Sequence, residues 1–480
     1  VSMSTSGTPE PDSAASAIEC GSQAIGFSGV VSAKSSSVPP IAKPVSKMLF
    51  SFPADYHTTT RGLSRSVGDD EARQRKRQET VTMSQVVFDP FSDDFFNNPY
   101  ATYRRMRDEA PVYYNDIYDF YALTRHADVT AALKDTATFS SSRGIDLQMV
   151  KSGEPPPPLI IMMDPPEHRR MRSLVNKVFT PRAIERQRQT VMTQIDRFLS
   201  AADPDNFDVV QDFSALFPVE VITQMLGVPA ELRQQVRLLL DKTLEREYGK
   251  IEMPEAGIAA AVETGMMYFN IIQERRAQPQ DDMISDLIAA EVDRGDGQMT
   301  RLDDVEITAF ASMLGGAGAE TVTKLVGNAA VTFAENPEQW QLLLDDRSLI
   351  PAAVEELLRW EAPAQYLVRY TLQDAELHGQ TIPAGNAVMI CVGAANRDER
   401  AFPDAETFDI TRDRSAAQNL GLGYGEHSCL GAALARMECI AAIDRMLDFM
   451  PRYEIRREGL KRVAMSNVIG WHNVPVRVLR

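Results

Sequence analysis

A cysteine within a glycine-rich segment is the residue of this chain best suited to carry chemistry. Residues 420–436 read Leu-Gly-Leu-Gly-Tyr-Gly-Glu-His-Ser-Cys-Leu-Gly-Ala-Ala-Leu-Ala-Arg. Glycine loses the most backbone entropy on ordering, so this density predicts a loop rather than the interior of a helix or strand. Apolar residues at helical spacing follow, which places Cys429 at the start of a predicted helix over residues 430–450. The free N–H groups and positive dipole end of a helix favour a thiolate over a thiol.

The sequence alone leaves three roles for Cys429: a nucleophile, a metal ligand, or a small buried hydrophobe. The surrounding glycines favour a functional thiolate. The segment resembles the haem-binding loop of the cytochrome P450 family, whose pattern is Phe-x-x-Gly-x-x-x-Cys-x-Gly. Leu422, Gly425, Cys429 and Gly431 occupy the four named positions, with Leu422 in place of the usual Phe. The resemblance implies haem b (iron protoporphyrin IX), ligated through Cys429 and contacted by Leu422, Gly423 and Gly431.

A second segment with chemical potential is Asp164-Pro-Pro-Glu-His-Arg-Arg-Met-Arg172. The two prolines mark a helix start, and His168 and Arg172 share one face of that helix at i, i+4 spacing. Taken alone, the pattern is typical of a solvated basic surface. The resemblance to the same family implies that His168 and Arg172 hold a haem propionate. It gives the same role to Arg369 and His427.

The longest predicted helix covers residues 301–335, and its middle reads Gly315-Gly-Ala-Gly-Ala-Glu-Thr321. Each glycine inside a helix costs about 1 kcal/mol against alanine, so these glycines should admit a close neighbour or let the helix open. Tight helix packing is the simpler explanation. Glu320 and Thr321 are polar groups in an otherwise apolar helix and need partners. The run is similar to the family's oxygen-activation motif, which implies that Thr321 orders water at the dioxygen site and Glu320 helps relay protons.

Two further sets of residues follow from the resemblance. Glu356 and Arg359 have i, i+3 spacing on a predicted helix, which more often indicates a weak surface ion pair. They match the Glu-x-x-Arg of the family, and with Arg412 as third member they are expected to have a structural role behind the haem. A substrate pocket is also implied, lined by apolar side chains. Its predicted members are Ile145, Leu147, Met149, Leu314, Leu367 and Ile469.

Composition limits the classes of function. The chain has 50 basic and 67 acidic side chains, a net charge of −17, and this acidity argues against nucleic acid and anionic membranes as partners. The four cysteines, Cys20, Cys391, Cys429 and Cys439, show no Cys-x-x-Cys spacing. They indicate neither a disulfide framework nor a zinc or iron–sulfur site, and a cytoplasmic location is predicted. No apolar run approaches the ~18 residues of a membrane span, so no span is expected.

The chain is expected to divide into two parts. Residues 1–82 are rich in Ser, Thr, Gly and Ala with little periodicity, which predicts a disordered N-terminal extension. Residues 83–480 are predicted to form one domain. Four segments in this part agree with the cytochrome P450 family in type and order, so the chain is identified as a member of its soluble bacterial type. The fold implied is mainly α with a minor β portion.

The function implied is that of a haem-thiolate monooxygenase, which inserts one oxygen atom of O2 into a lipophilic small molecule. Electrons would come from NAD(P)H through a separate ferredoxin-type or flavodoxin-type partner and its reductase. Arg169, Arg170 and Lys177 are predicted to form an outward basic patch for an acidic electron donor. Two alternatives remain: a related enzyme of secondary metabolism that couples or rearranges its substrate without oxygen insertion, and a non-catalytic haem sensor. The pair Glu320 and Thr321 favours the monooxygenase.

Overall fold

The computed structural model describes residues 86–176, 179–294 and 299–479. The predicted disordered extension, residues 1–82, lies outside them. The helices are α1 Asp93–Asn97, α2 Tyr100–Glu109, α3 His126–Lys134, α4 Leu147–Ser152, α5 Glu167–Asn176, α6 Pro181–Ala201, α7 Phe217–Leu226, α8 Ala230–Leu244, α9 Glu255–Ala277, α10 Met283–Ala289, α11 Asp304–Glu335, α12 Pro337–Asp345, α13 Ile350–Trp360, α14 Val392–Ala395 and α15 Ala432–Phe449. A π-helix, Val209–Ser214, precedes α7.

The strands are short and are distributed along the described chain, with eight of the fourteen after residue 366. They are β1 Val112–Asn115, β2 Phe120–Leu123, β3 Phe139–Ser140, β4 Phe207–Asp208, β5 Glu291–Asp293, β6 Met299–Arg301, β7 Leu367–Thr371, β8 Ala375–Leu377, β9 Gln380–Ile382, β10 Ala387–Ile390, β11 Tyr453–Ile455, β12 Lys461–Arg462, β13 Trp471–Asn473 and β14 Pro475–Val478. The largest sheet has the order β1-β2-β10-β7-β3, in which β10 and β2 are parallel and the other pairs antiparallel. This sheet carries Arg369 on β7.

Helix α11 is the central element of the helical part. It spans 32 residues and begins with a capping box, in which Asp303 accepts from the backbone of Glu306 and Glu306 accepts from that of Asp303. Its C-terminal half packs with α6, α13 and α15 in one apolar cluster, and its N-terminal half packs with α7, α9 and α10 in another. Helix α15 begins three residues after Cys429 and packs in the first of these clusters.

The glycines of α11 serve helix packing. A Cβ on Gly315 would lie 2.3 Å from the hydroxyl of Tyr268 on α9, and one on Gly318 would lie 2.8 Å from Ile222 on α7. These contacts leave no room for a larger side chain. The simpler explanation offered by the sequence therefore accounts for them, and the helix runs through this segment without opening.

The fold class predicted from the sequence, mainly α with a minor β portion, is confirmed. The long predicted helix over 301–335 is observed as Asp304–Glu335. Among the described residues, no single helix is long and apolar enough to cross a membrane; one pair, Val209–Leu226 and Ala230–Leu244, meets the criteria only jointly and is bent by 119°.

Candidate active site

The middle of α11 faces an open space. Most of this helix is buried, yet Ala317 is exposed and Thr321 is only partly buried. These two residues are one turn apart and therefore share a face. The thiol-bearing residue Cys429 is also exposed, and a Cβ on Gly431 would meet no atom within 4 Å. An accessible sulfur and an accessible hydroxyl thus occur on two elements that are otherwise built into the core.

The loop before Cys429 is shaped by its own backbone contacts. The Cys429 N–H donates to the Leu422 carbonyl at 2.8 Å, which closes the loop on itself. Gly423 and Gly425 have φ values of 69° and 73°, a region that side chains disfavour. A Cβ on Gly425 would also lie 2.6 Å from the carbonyl oxygen of Leu133 on α3. The glycine spacing therefore follows from backbone conformation and from close approach to α3.

The Cys429 thiol is accessible, but protein surrounds it on the other sides. This enclosure raises the pKa of Cys429, while the Gly431 N–H and the charges of Arg172 and Arg436 act to lower it. The sequence-based expectation was that the helix start favours a thiolate; the Gly431 N–H acts in that direction, but burial outweighs it in the metal-free protein. Helix α15 begins at Ala432, three residues beyond the sulfur. A bound metal ion is what would convert this thiol to a thiolate, because coordination deprotonates it outright.

Imidazoles and guanidiniums gather beside the cysteine loop with few anions. The rings of His168 and His427 lie with their centroids 4.2 Å apart and their planes tilted by 43°, and Ser141 Oγ lies 3.3 Å from His427 Nε2. His168 is buried, and among the described residues its Nδ1 has no hydrogen-bond partner; a carboxylate oxygen of Glu426 is 3.9 Å away. The predicted residues His168 and His427 are therefore brought together.

The positive charge beside the cysteine loop is only partly neutralised by nearby carboxylates. Arg369 is buried and donates to the carbonyl of its own neighbour Val368 at 2.8 Å. Burial lowers its pKa to about 10, although Asp164 acts in the opposite direction. Burial together with the charges of Arg369, His168 and Arg172 lowers the pKa of His427 to about 3, so this ring is neutral at pH 7. Buried cations of this kind call for an anionic partner.

Arg172 is committed to the cysteine loop. Its guanidinium donates to the carbonyl oxygens of Glu426 at 3.1 Å and Ser428 at 2.6 Å. These bonds tie helix α5 to the residues just before Cys429. Arg169, predicted to belong to an outward basic patch, is exposed but donates to the Glu426 carboxylate at 3.0 Å, which neutralises it. Arg170 donates to the Arg294 carbonyl at 3.0 Å.

Glu320 and Thr321 point to different neighbours. The Thr321 hydroxyl donates to the Ala317 carbonyl at 3.0 Å, so its oxygen lone pairs remain available on the open face of α11. Glu320 is buried, with its Oε1 2.7 Å from Nζ of Lys324 one turn further along. Sequence reasoning missed Lys324, although the i, i+4 spacing of an acid and a lysine in a buried helix was a usable signal.

The predicted structural set is assembled in the core. Arg359 donates two hydrogen bonds, of 2.6 and 2.8 Å, to Glu356, and both side chains are about 97–98% buried. Arg412 Nε lies 3.2 Å from Glu356 Oε1, and the Asp409 N–H donates to the same oxygen at 3.1 Å. Arg359 also donates to the carbonyls of Asn396 and Ala405. The set thus joins α13 to the chain that leads into the cysteine loop.

The predicted pocket residues are spread over several packing clusters. Leu147 and Ile469 are buried in one cluster, Leu314 lies in that of α11 and α9, and Leu367 packs against a third. Ile145 and Met149 are partly buried. Their part in binding a substrate stays a prediction.

Comparison with known proteins decides the family. A model described as cytochrome P450 matches residues 259–449. Cytochrome P450 130 of Mycobacterium tuberculosis is 37% identical over 394 residues, which cover 79% of this chain and 95% of that protein. The chain belongs to the cytochrome P450 family.

Two further P450s that are similar to this chain act on, or were solved with, a named small molecule. Vitamin D(3) 25-hydroxylase of Pseudonocardia autotrophica is 35% identical over 378 residues, covering 77% of this chain and 91% of the relative. The structure of a mutant of P450 EryK in complex with erythromycin B has a TM-score of 0.72 and 34% identity, over 79% of this chain and 96% of that one. This P450 is accordingly a monooxygenase that uses haem b.

The residues of this P450 fit the haem on independent grounds. Cys429 presents an accessible sulfur on the side where Gly431 leaves empty space. The unpartnered Nδ1 of His168 and the guanidinium of Arg369, which donates to a neighbouring carbonyl, supply donors suited to the haem carboxylates. The open face of α11 at Ala317 and Thr321 is apolar apart from one hydroxyl.

Proposed function

We propose that this P450 inserts one oxygen atom of O2 into a lipophilic small organic molecule, with electrons from a separate redox partner. The observation that carries the proposal is the pair of accessible groups, the Cys429 sulfur and the Thr321 hydroxyl, on elements that are otherwise buried. A sensor needs no hydroxyl on the open side, whereas oxygen chemistry needs protons delivered there. Glu320, next to Thr321, is the nearest acid in sequence.

We assign the haem-binding roles residue by residue. Cys429 ligates the iron, and His168, His427 and Arg369 receive the propionates. Bound haem supplies the activation of dioxygen, which no side chain can perform. The Gly431 N–H, with Arg172 and Arg436, stabilises the sulfur anion.

The distal residues supply water and protons. The Thr321 hydroxyl donates its hydrogen bond to the Ala317 carbonyl, so its oxygen is left to accept a hydrogen bond from a water on the open face. That water lies beside Thr321, where a proton is needed, and Glu320 supplies the protons that the water delivers. Removing the hydroxyl leaves the water unanchored, and reduced oxygen then escapes as peroxide.

The substrate class rests on the apolar pocket candidates and on the relatives. The compounds named with two of the relatives are vitamin D(3) and erythromycin B. Both are large molecules with extended apolar surfaces. We propose a substrate of the same general kind. We also propose a cytoplasmic location and a ferredoxin-type or flavodoxin-type donor.

A labelled-oxygen experiment tests the proposal. Purified haem-loaded protein is screened with lipophilic compounds for a haem spin-state shift, and the best binder is turned over with NADH, a surrogate ferredoxin and its reductase under 18O2. One labelled oxygen atom in the product supports insertion. A coupled or rearranged product without label supports the alternative enzyme, and the absence of oxygen consumption with every donor supports a sensor.

A further inference from the structure

A cavity of about 450 Å³ lies between α13, α15 and the segment 402–419 that leads into the cysteine loop. Helix α13 lines it with Val354 and Glu355, and α15 lines it with Arg436 and Ile440. Its charged lining residues are Arg359, Arg412, Arg414, Arg436, Glu355 and Glu356. Four guanidiniums thus face two carboxylates, so the lining carries an excess of two positive charges at pH 7. An anion is the kind of ligand that this excess favours.

Two of the four arginines are committed to the framework. Arg359 and Arg412 both donate to Glu356, and their other N–H groups donate mainly to backbone carbonyls. Their side chains are 3 and 9% exposed. They form the buried floor of the cavity, and little donor capacity remains on them for a ligand.

The other two arginines have donors available. Arg436 donates from Nε and Nη2 to Glu355 at 2.5 and 3.2 Å, and its Nη1 has no acceptor within the described ranges; the side chain is 41% exposed. Arg414 is exposed and, in the part of the chain that the structure describes, makes no hydrogen bond or ion pair. A single exposed arginine is usually only solvated. Here donors from two elements border one cavity whose walls also include the apolar Val354 and Ile440.

We propose that this cavity is a binding site for a short dicarboxylate, with one carboxylate on Arg414 and the other on Nη1 of Arg436. The planar guanidinium fork matches a carboxylate, and two carboxylates match the two excess positive charges. The apolar walls at Val354 and Ile440 suit the methylene groups between the carboxylates. This ligand is polar and anionic, whereas the substrate proposed for the haem is lipophilic, so the two sites take different molecules.

The cavity is coupled to the haem through Arg436. The charge of Arg436 acts on the sulfur of Cys429, which lies seven positions earlier in the chain. A dianion on Arg436 offsets part of that positive charge. Added negative charge near the cysteine ligand makes the iron harder to reduce, so the midpoint potential of the bound haem should become more negative when the dicarboxylate binds.

Calorimetry on the haem-loaded protein tests binding, with glutarate as the dicarboxylate and NaCl added to keep the ionic strength constant. One glutarate should bind per chain. Glutaramide, which has the same length without charge, should not bind. Inorganic phosphate, which has charge without methylene groups, should bind at least about tenfold more weakly than glutarate. The haem spin state should stay unchanged, because so polar a ligand does not enter a lipophilic substrate pocket.

Substitutions at the cavity locate the bound glutarate. Arg414→Gln should weaken binding about tenfold or more, because a charged hydrogen bond is lost. Arg414→Lys should fall between Arg414→Gln and the parent, because it keeps the charge without the fork. Ala417→Phe leaves every charge in place and fills the cavity, so it should abolish binding. The control is Arg452→Gln, which removes an exposed arginine that does not line the cavity and should match the parent.

Redox titration supplies a readout that binding at some other surface would not move. Saturating glutarate should shift the midpoint potential of the parent haem to a more negative value. The same concentration should leave the potential of Arg414→Gln close to its value without glutarate, because that variant binds the ligand poorly. Arg414 is exposed, so its replacement should leave the fold intact, which circular dichroism checks.

Several results would overturn the inference. Absence of saturable glutarate binding would do so, as would phosphate that binds as tightly as glutarate, since general ionic screening would then explain the heat. Parent affinity in both Arg414→Gln and Ala417→Phe would place the ligand elsewhere, and a spin-state change would place it in the substrate pocket. An unmoved midpoint potential at saturation would remove the ligand from Arg436. If glutarate fails to bind and Arg414→Gln weakens the complex with a surrogate ferredoxin, the cavity serves the electron donor instead.

Discussion

The Glu356–Arg359 pair allows a controlled measurement of what burial does to an ion pair. The two residues are at i, i+3 on α13, are joined by two hydrogen bonds, and are 2 and 3% exposed. Glu356→Gln keeps the shape and removes the charge. Breaking a buried ion pair costs about 3–5 kcal/mol, because the remaining charge stays in a poorly solvated place. We therefore expect the free energy of unfolding to fall by about that amount.

The chain contains a control with matching geometry. Glu185 and Arg188 on α6 also have i, i+3 spacing and two hydrogen bonds, of 2.6 and 3.0 Å, but their side chains are 61 and 54% exposed. Glu185→Gln should leave the free energy of unfolding unchanged from that of the parent, because an exposed ion pair is well solvated and screened. The two pairs share spacing and bonding but differ in burial and in the further partners that Glu356 has.

Urea denaturation of the haem-loaded proteins, followed by circular dichroism and by the thiolate band of the carbonyl complex, measures both effects. Glu356 also accepts from Arg412 and from the Asp409 N–H, so the two signals should be lost together in Glu356→Gln. A loss below about 1 kcal/mol in Glu356→Gln would refute the reasoning, since it would mean that the surrounding carbonyls alone satisfy Arg359. Equal effects of the two substitutions would refute it as well.

Four further predictions concern the site. Cys429→Ala should abolish the red-shifted carbonyl band of thiolate-ligated haem; a variant that kept it would contradict the assignment. Thr321→Ala should divert reduced oxygen to peroxide whereas Thr321→Ser stays coupled, and equal peroxide yields would argue against the hydroxyl. Arg369→Leu should speed haem transfer to apomyoglobin about tenfold or more, because the variant loses a charged hydrogen bond to a propionate. It should not destabilise the haem-free protein, because Arg369 is a buried cation there. Burial and the negative charge of Glu320 raise the pKa of Asp241 to about 6, so ionisation of this carboxyl destabilises the folded parent. The stability advantage of Asp241→Asn over the parent should therefore grow between about pH 4 and 6 and stay constant above pH 6. A pH-independent difference would contradict the raised pKa.

Local sequence patterns predicted the elements that hold the site. The glycine spacing around Cys429 indicated a loop, and positive φ values at Gly423 and Gly425 explain it. The apolar run after residue 301 indicated a long helix, and Asp304–Glu335 is that helix. Such features depend on a residue and its near neighbours, which is the information a single sequence contains.

Features that depend on distant residues were missed. Arg169 was predicted to face outward in a basic patch; it is exposed, but its pairing with Glu426, 257 positions later, was not predicted. No chemistry was predicted for residues 183–300, yet the charge of Glu320 on α11 helps to raise the pKa of Asp241 on α8. The helix start was expected to favour a thiolate at Cys429, and burial by the rest of the fold outweighs the Gly431 N–H that acts in this direction. In each case a long-range contact decides the electrostatics.

Charge satisfaction separates the cofactor site from the framework of this P450. In the framework, the buried Glu356 carboxylate is met by Arg359, Arg412 and a backbone N–H, so each charge has its partner within the chain. At the site, His168 Nδ1 has no hydrogen-bond partner in the part of the chain that the structure describes. Arg369 donates to a carbonyl and interacts with Asp164 at longer range. Groups left in this state cost free energy in the haem-free protein, and two propionates would recover it. Haem binding and folding are therefore coupled most strongly through these groups, because a ligand that binds only the folded state stabilises it.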